Sequence, residues 1–188
     1  MKAIVPLSGG IDSAVVLAGC IGSDFECATV AFDYGQPHRI ELQYAARLAE
    51  HYGVPHEVVK LQTIPLVSEV VFAGRNLVFA SIAIAMAHAR GFDVVAFGCN
   101  ESDWFEFPDC RPPFWAAIEA CAGAYGVTVK TPLIHNPKTD VIKLALKLRV
   151  PLELTWSCYQ PQGKSPCRKC LACRTRDVAI AQVKEGHP

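Results

Sequence analysis

The sequence lacks long apolar runs. No stretch approaches the roughly 20 consecutive apolar residues that a transmembrane helix requires, so a helical membrane protein is excluded. A secretory leader pattern is also missing, because residues 1–6 lead directly into a glycine-rich motif. From these two absences we expect a cytoplasmic protein without a membrane partner.

Charge is also scarce. Charged residues make up 19% of the chain and apolar residues 51%, a balance that argues against disorder. The 18 basic and 18 acidic residues cancel, so the chain lacks the basic surface that nucleic-acid binding usually requires. A length of 188 residues suits one domain with a sizeable core. We therefore expect a single domain over 1–188 that makes no direct contact with nucleic acid.

Cysteine, in contrast, is abundant, and four of the nine cysteines are clustered: Cys158, Cys167, Cys170 and Cys173. Clustered cysteines in a cytosolic chain are more typical of a metal site than of disulfides, and four thiolates suit a structural Zn²⁺. An iron–sulfur cluster is the alternative, since Cys-x2-Cys-x2-Cys also occurs in ferredoxins. The ferredoxin run continues with x3-Cys-Pro, whereas Arg174-Thr175-Arg176 follows here. The pattern therefore favours a zinc-binding segment over 155–176, and the five other cysteines are expected to be buried apolar residues.

The periodicity of apolar residues predicts strands that alternate with helices. Strands are predicted at 2–7, 26–33, 58–61, 94–98 and 127–131. Helices are predicted at 12–21, 38–52, 76–90, 112–124 and 138–148, and a loop at 62–74. Such alternation predicts the α/β class, with a parallel sheet covered by helices on both faces and a ligand site at the carboxyl ends of the strands.

A glycine-rich string, Ser8-Gly9-Gly10-Ile11-Asp12-Ser13, lies between the first strand and the first helix. The glycines allow a tight backbone turn, and the helix start adds partial positive charge, so the string favours an anion site for pyrophosphate. It matches neither the Walker pattern nor the dinucleotide fingerprint. Asp12 is expected both to cap the helix and to help hold Mg²⁺. The alternative is an ordinary glycine turn.

Three further segments are unusually polar: 33–39, 74–79 and 98–111. Their carboxylates could hold Mg²⁺ or accept hydrogen bonds from ring N–H groups, and their aromatic rings could stack on a planar base. The alternative for each segment is a solvated loop next to a helix cap.

The glycine-rich string is the signature of the PP-loop ATP pyrophosphatases, which usually pass AMP to a substrate oxygen. Segments along nearly the whole chain, in order, resemble the 7-cyano-7-deazaguanine synthase family. They are 8–13, Asp33-Tyr34-Gly35-Gln36 through His38, Gly74-Arg75-Asn76, Gly98 through Asp103, Pro108-Asp109-Cys110-Arg111, Thr131-Pro132-Leu133 with Lys138, and Ser157-Cys158-Tyr159 with the three later cysteines.

The resemblance implies a Rossmann-like fold of the adenine nucleotide alpha hydrolase type, a bound zinc ion and a homodimer. It also implies that 7-carboxy-7-deazaguanine is activated by ATP, that ammonia converts it into an amide, and that a second activation yields the nitrile. The expected cofactors are ATP, Mg²⁺ and Zn²⁺, and the expected partners are the deazapurine acid and ammonia.

The same resemblance assigns site residues. ATP contacts are expected from Leu7, Ser8, Gly9, Gly10, Ile11, Asp12, Ser13, Ala14, Val15, Val16 and Leu17. Catalytic roles are expected for Ser8, Asp12, Ser13, Arg75, Asp109 and Arg111. Substrate contacts are expected from Tyr34, Gln36, His38, Arg75, Asn76, Asn100, Glu101, Asp103, Asp109 and Arg111. The metal ligands are expected to be Cys158, Cys167, Cys170 and Cys173.

The chain also departs from the family pattern in three places. The stretch between Leu61 and Val71 is short, Pro37 replaces a usual arginine, and 104–107 is bulkier than usual. These departures leave open a diverged relative that stops at the amide or uses another amine, for example in a defence system. A different PP-loop enzyme that modifies tRNA is disfavoured by the neutral charge. A non-catalytic nucleotide-binding module is disfavoured by the intact 8–13 string.

Overall fold

The computed structural model describes residues 1–61 and 74–186, which contain a five-stranded parallel sheet. The strands are β1 (Lys2–Pro6), β2 (Glu26–Asp33), β3 (His56–Lys60), β4 (Val94–Ala96) and β5 (Thr128–Lys130). Their order across the sheet is β3-β2-β1-β4-β5, and every neighbouring pair is parallel. The chain therefore progresses in one direction from β1 to β3 and in the other from β4 to β5. That order places a topological switch point between β1 and β4, where sheets of this kind bind ligands.

Six α-helices accompany the described strands. They are α1 (Ile11–Gly22), α2 (Glu41–Tyr52), α3 (Arg75–Arg90), α4 (Pro112–Gly123), α5 (Lys138–Lys147) and α6 (Leu171–Glu185). Short 3₁₀ turns occur at Glu101–Asp103, Pro108–Cys110 and Leu152–Leu154.

Two apolar clusters bury the two faces of the sheet. The side chains of β1 alternate between them: Ala3 and Val5 pack with α1, α2, α5 and α6, whereas Ile4 packs with α3 and α4. This alternation is the period of two that a strand buried on both faces requires. The expected α/β sheet with helices on both faces is therefore confirmed.

Several boundaries differ from the sequence prediction. Helix α2 begins at Glu41 and not at 38, because residues 38–40 form turns before it. Helix α6 was not predicted at all. Cys27, Cys99 and Cys110 are buried as expected, but Cys20 is half-buried and Cys121 is exposed, so the burial prediction is wrong for that last residue. The loop predicted at 62–74 lies, except for its last residue, outside the described residues.

Among the described residues, no helix combines the length and the apolar composition that crossing a membrane requires.

Candidate active site at the carboxyl edge of the sheet

The loop between β1 and α1 is held together by its own serines. Ser8 Oγ and Ser13 Oγ lie 3.1 Å apart, and the amide of Gly10 donates to Ser8 Oγ over 3.2 Å. Ser13 Oγ in turn donates to the carbonyl of Gly10 over 3.1 Å. The two hydroxyl groups are thereby fixed at the N-terminus of α1, where the helix start favours an anion.

Gly9 has no room for a side chain. Its φ is +84°, and a Cβ there would lie 2.5 Å from the carbonyl oxygen of Glu41 and 3.0 Å from the amide nitrogen of Ala45. The absence of a side chain thus lets α2 pack directly against the loop. On the loop's other flank, the amide of Trp156 donates to the carbonyl of Gly9 over 2.8 Å.

Gly98 permits the close approach of α1 to the segment that follows β4. A Cβ at Gly98 would lie 2.6 Å from the backbone nitrogen of Ser13 and 2.7 Å from the backbone carbonyl carbon of Asp12. Because these are backbone atoms, a side chain could be accommodated only if the start of α1 moved. The position of the loop therefore depends on this glycine.

Asp12 pairs with Lys138 from the first turn of α5. The Lys138 Nζ lies 2.6 Å from Oδ2 and 2.8 Å from Oδ1 of Asp12, although the two residues are far apart in sequence. The N-cap position of α1 is occupied by Gly10, and no side chain caps that helix. The prediction that Asp12 caps α1 is therefore wrong, because the helix begins at Ile11, ahead of Asp12, and the carboxylate turns toward Lys138.

A second carboxylate, Asp103, faces the same region. Asn100 Nδ2 donates to Asp103 Oδ2 over 2.8 Å, which fixes its orientation. Burial and the negative charge of Asp12 together raise the pKa of Asp103 to about 6, whereas Lys138 opposes that rise. Two carboxylates that influence each other in this way are a donor set suited to a hard divalent cation.

A polar wall opposite the loop centres on Arg75, at the start of α3. Its guanidinium group lies against the hydroxyl groups of Tyr34 and Tyr159 and 5.6 Å from the ring centre of Phe107. Burial raises the pKa of Tyr34 to about 12, although Arg75 acts in the opposite direction. The phenols therefore remain neutral, and Arg75 keeps its charge available for an anion.

Glu41 completes this wall from the first turn of α2. Gln36 Nε2 donates to Glu41 Oε1 over 2.9 Å. Burial raises the pKa of Glu41 to about 7, and Gln36 and Arg75 oppose that rise. Behind Glu41 lies His38, which is 1% exposed, and burial lowers its pKa to about 4. His38 is therefore neutral at physiological pH.

A cavity of about 320 Å³ joins the loop to the polar wall. Its size suits a small ligand. Phe32 and Phe79 stack beside it, with ring centres 4.4 Å apart and planes 3° from parallel. The predicted site residues that line the cavity are Leu7, Ser8, Gly10, Ile11, Asp12, Ser13, Tyr34, Arg75, Asn76 and Asp103.

Other predicted site residues do not line the cavity. Asp109 Oδ2 accepts the amide hydrogen of Asn76 over 3.0 Å and so holds the start of α3, and Arg111 Nε donates to the carbonyl of Trp104. The other predicted site residues that do not line the cavity are Gly9, Ala14, Val15, Val16, Leu17, Gln36, His38, Asn100 and Glu101. Their assigned ligand contacts stay predictions.

Residues that the site assignment omitted also line the cavity: Glu41, Phe79, Ser102, Lys138, Ser157 and Tyr159. Four of them carried a signal in the sequence, since they stand in segments that resemble the family: Ser102, Lys138, Ser157 and Tyr159. Glu41 carried none, because an acidic residue in the first turn of a helix is expected from the helix dipole alone.

The four clustered cysteines converge on one point. Their sulfur atoms all lie within 4.8 Å of one another. Backbone amides point at them: Cys167 donates to Cys158 Sγ over 3.2 Å, and Lys169 and Cys170 donate to Cys167 Sγ over 3.4 and 3.3 Å. The amides of Lys169 and Cys170 lower the pKa of Cys167 to about 6. Four sulfurs at this spacing could hold a single metal ion.

A sequence model of one family, described as "Queuosine biosynthesis protein QueC", matches residues 2–72 and 66–184. The chain belongs to this family. A relative from Leptospira interrogans, named 7-cyano-7-deazaguanine synthase, is 35% identical over 97% of this chain and 87% of its own length. A relative of the same name from Thermoplasma acidophilum is 35% identical over 100% of this chain and 90% of its own length. The resemblance read from the motifs is therefore confirmed.

Solved structures support the fold. NMN synthetase from Francisella tularensis superposes with a TM-score of 0.61 at 18% identity, covering 99% of this chain and 84% of its own. The U34-tRNA thiolase NcsA from Methanococcus maripaludis, described with its [4Fe-4S] cluster, gives a TM-score of 0.59 at 19% identity over 100% and 67% of the two chains. The expected Rossmann-like fold is thus confirmed.

Proposed function

We propose that this protein converts 7-carboxy-7-deazaguanine and ammonia into 7-cyano-7-deazaguanine at the expense of ATP, through an adenylated carboxylate and an amide. One observation supports this most directly. A single cavity joins an anion-binding loop to a wall that presents Arg75 and Glu41. The membership of the QueC family and the names of its relatives point to the same reaction.

The loop and Lys138 would bind the phosphates of ATP. Ser8 and Ser13 lie at the start of α1, where their hydroxyl groups would turn from each other and from Gly10 toward the phosphates, and Lys138 places an ammonium group beside Asp12. Arg75 would hold the carboxylate of the substrate near the α-phosphorus. One carboxylate oxygen then attacks that phosphorus, the bond to pyrophosphate breaks, and pyrophosphate leaves with the electron pair. Catalysis would come mainly from positioning and charge stabilisation.

Asp12 and Asp103 would hold Mg²⁺ on the phosphates. Both carboxylates line the cavity, and the charge of Asp12 raises the pKa of Asp103, so the two groups act on each other electrostatically. Such an ion neutralises negative charge on the phosphates when it is bound. Lys138 would then turn from Asp12 toward the phosphates.

The four cysteines would hold Zn²⁺ in a structural site. A single tetrahedral ion requires four sulfurs in close mutual contact, and their spacing within 4.8 Å fits one ion better than a larger iron–sulfur cluster. All four ligand positions are supplied by the chain, so no position remains for catalysis. The metal segment, 155–176, would thereby stabilise Trp156 against the glycine-rich string 8–13, which we call the phosphate loop.

The organisation of the protein belongs to the same proposal. We expect a single domain over 1–188 that acts in the cytoplasm as a homodimer. Its substrates would be small molecules, because the balanced charge offers no basic surface for nucleic acid. Asp109 and Arg111 would contribute by holding the segments around Asn76 and Trp104 in place.

The test is a product analysis. Purified protein with Mg-ATP, 7-carboxy-7-deazaguanine and ammonium should yield the nitrile, with AMP and pyrophosphate, by mass spectrometry. Arg75→Met should reduce the rate roughly 100-fold, since it removes the charge that orients the acid. Arg90→Met, at the exposed end of the same helix, is the matched control and should keep the wild-type rate. An amide that accumulates, or no consumption of ATP, would overturn the proposal.

A further inference from the structure

The carboxyl group of Glu41 has no role in the adenylation step described above, yet it lines the same cavity. Its side chain is 16% exposed. Gln36 holds Oε1, whereas Oε2 accepts no hydrogen bond from residues 1–61 and 74–186. One carboxylate oxygen is therefore held by Gln36, and the other lies 3.5 Å from His38 Nε2 without a hydrogen bond to it.

The proposed reaction, on which this inference rests, requires a base beside the nitrogen. Ammonia carries three hydrogens, and the nitrogen of a nitrile carries none. All three must leave as protons while the nitrogen is bound to the acyl carbon. The loop amides donate hydrogen bonds, Arg75 and Lys138 are cations, and Asp12 and Asp103 would hold the cation on the phosphates, so none of these groups serves as the acceptor.

We propose that Glu41 is the catalytic base that removes these protons during amide and nitrile formation. Its position supports this role in two ways. The backbone carbonyl of Glu41 packs on Gly9, and the residue lines the same cavity as the phosphate loop and Arg75. Its carboxylate also lies within the electrostatic influence of Arg75, the residue that would orient that carboxyl group.

The groups that face Glu41 keep it suited to proton transfer near neutral pH. They are Arg75 from α3, Tyr34 and His38 from the segment after β2, and Tyr159 from the metal segment. Burial raises the pKa of Glu41 to about 7, and Arg75 limits that rise. His38, with Nε2 3.5 Å from Glu41 Oε2, has a pKa lowered to about 4 by burial, so it adds no positive charge. A base with a pKa near the working pH transfers protons most effectively.

In the first step, the nitrogen of ammonia forms a bond to the acyl carbon of the adenylate. Glu41 takes one proton from that nitrogen, the bond to AMP breaks, and AMP leaves with the electron pair. In the second step, the amide oxygen attacks a second ATP and pyrophosphate leaves. The adenylated amide then loses two protons in turn to Glu41, which passes each to solvent. The bond to AMP breaks as the carbon–nitrogen triple bond forms.

The experiment separates adenylation from the steps at nitrogen. Exchange of labelled pyrophosphate into ATP, dependent on the acid and without ammonium, reports adenylation alone. Glu41→Gln keeps an acceptor for Gln36 but loses basicity. It should leave the exchange within roughly threefold of wild type and reduce amide formation, and nitrile formation from added amide, by roughly 100- to 1,000-fold. Glu50→Gln, an exposed carboxylate on the same helix, is the matched control and should match wild type.

A pH profile of the wild type tests the inference without any variant. With the concentration of free ammonia held constant, the rate of amide formation should fall as the pH drops below about 7. The rate of pyrophosphate exchange should not show this decrease. The inference would be overturned if Glu41→Gln lost pyrophosphate exchange and amide formation equally, or if this variant were fully active. It would also be overturned if amide formation by the wild type did not fall below about pH 7. The proposed function would survive these results. It falls only if the wild type itself forms no adenylate or no nitrile, and the inference then falls with it.

Discussion

The most direct structural prediction concerns Gly98→Ala. A Cβ at this position would lie 2.6 Å from the backbone nitrogen of Ser13, against ordinary contacts of at least 3.4 Å, so the start of α1 must move by about 0.8 Å. Overpacking of this kind costs about 1–3 kcal/mol. For a chain of this size that corresponds to a Tm roughly 3–10 °C lower. Because the phosphate loop moves with α1, acid-dependent pyrophosphate exchange should fall about 100-fold.

Gly19→Ala is the matched control, since Gly19 lies in the middle of the same helix with no atom within 4 Å of its Cβ position. Alanine is the better helix former by about 1 kcal/mol, so the Tm should rise by about 2–4 °C and the exchange rate should not change. The assays are differential scanning calorimetry and the exchange measurement. A Gly98→Ala variant with wild-type Tm and exchange would refute the argument that this close contact fixes the loop.

Three further predictions follow from the site. Lys138→Met should reduce pyrophosphate exchange about 100-fold, because it removes the ammonium group beside the phosphates; Lys143→Met, exposed on the same helix, should not. Cys158→Ser should lower the metal content measured by mass spectrometry well below one ion per chain, and exposed Cys121→Ser should leave it unchanged. Folding raises the pKa of Glu41 from 4.5 to about 7, so its stabilising contribution is complete below about pH 4.5 and is lost as the pH rises to 7. Glu41→Gln should therefore raise the free energy of unfolding at pH 8 by at most about 3 kcal/mol, which is measured as a higher Tm, and this gain should shrink toward pH 5. An equal shift of the Tm at both pH values would contradict burial of the carboxylate as the cause.

Local patterns were sufficient to predict the strands and most of the helices. The apolar periodicity located β2 at 26–33 without error, because a strand buried on both faces leaves a continuous apolar run. Helix α6, Leu171–Glu185, was missed because polar and charged residues interrupt its apolar positions. Its described buried side chains, Cys173, Ala179 and Val183, become a recognisable stripe only once they pack against the metal segment and α5.

The site shows where local reasoning fails. Asp12 was expected to cap α1, because an aspartate at the start of a helix usually does so. The structure instead pairs it with Lys138, and no sequence pattern indicates a contact over that separation. Glu41 was overlooked for a related reason. Its place in the cavity depends on the packing of α2 against Gly9, which is a tertiary contact.

The phosphate loop is positioned by contacts from three separate parts of the chain. Gly98 fixes the start of α1 on one flank, the backbone of α2 contacts Gly9 on another, and the amide of Trp156 binds the carbonyl of Gly9 on the third. Trp156 packs in a cluster with Cys158 and the other three clustered cysteines. A disturbance of the cysteine cluster therefore reaches the loop through the hydrogen bond of Trp156 and through Tyr44, which packs against both. Removal of the metal should then weaken ATP binding even in molecules whose sheet stays folded, because the affected contact lies at the loop and not in the core.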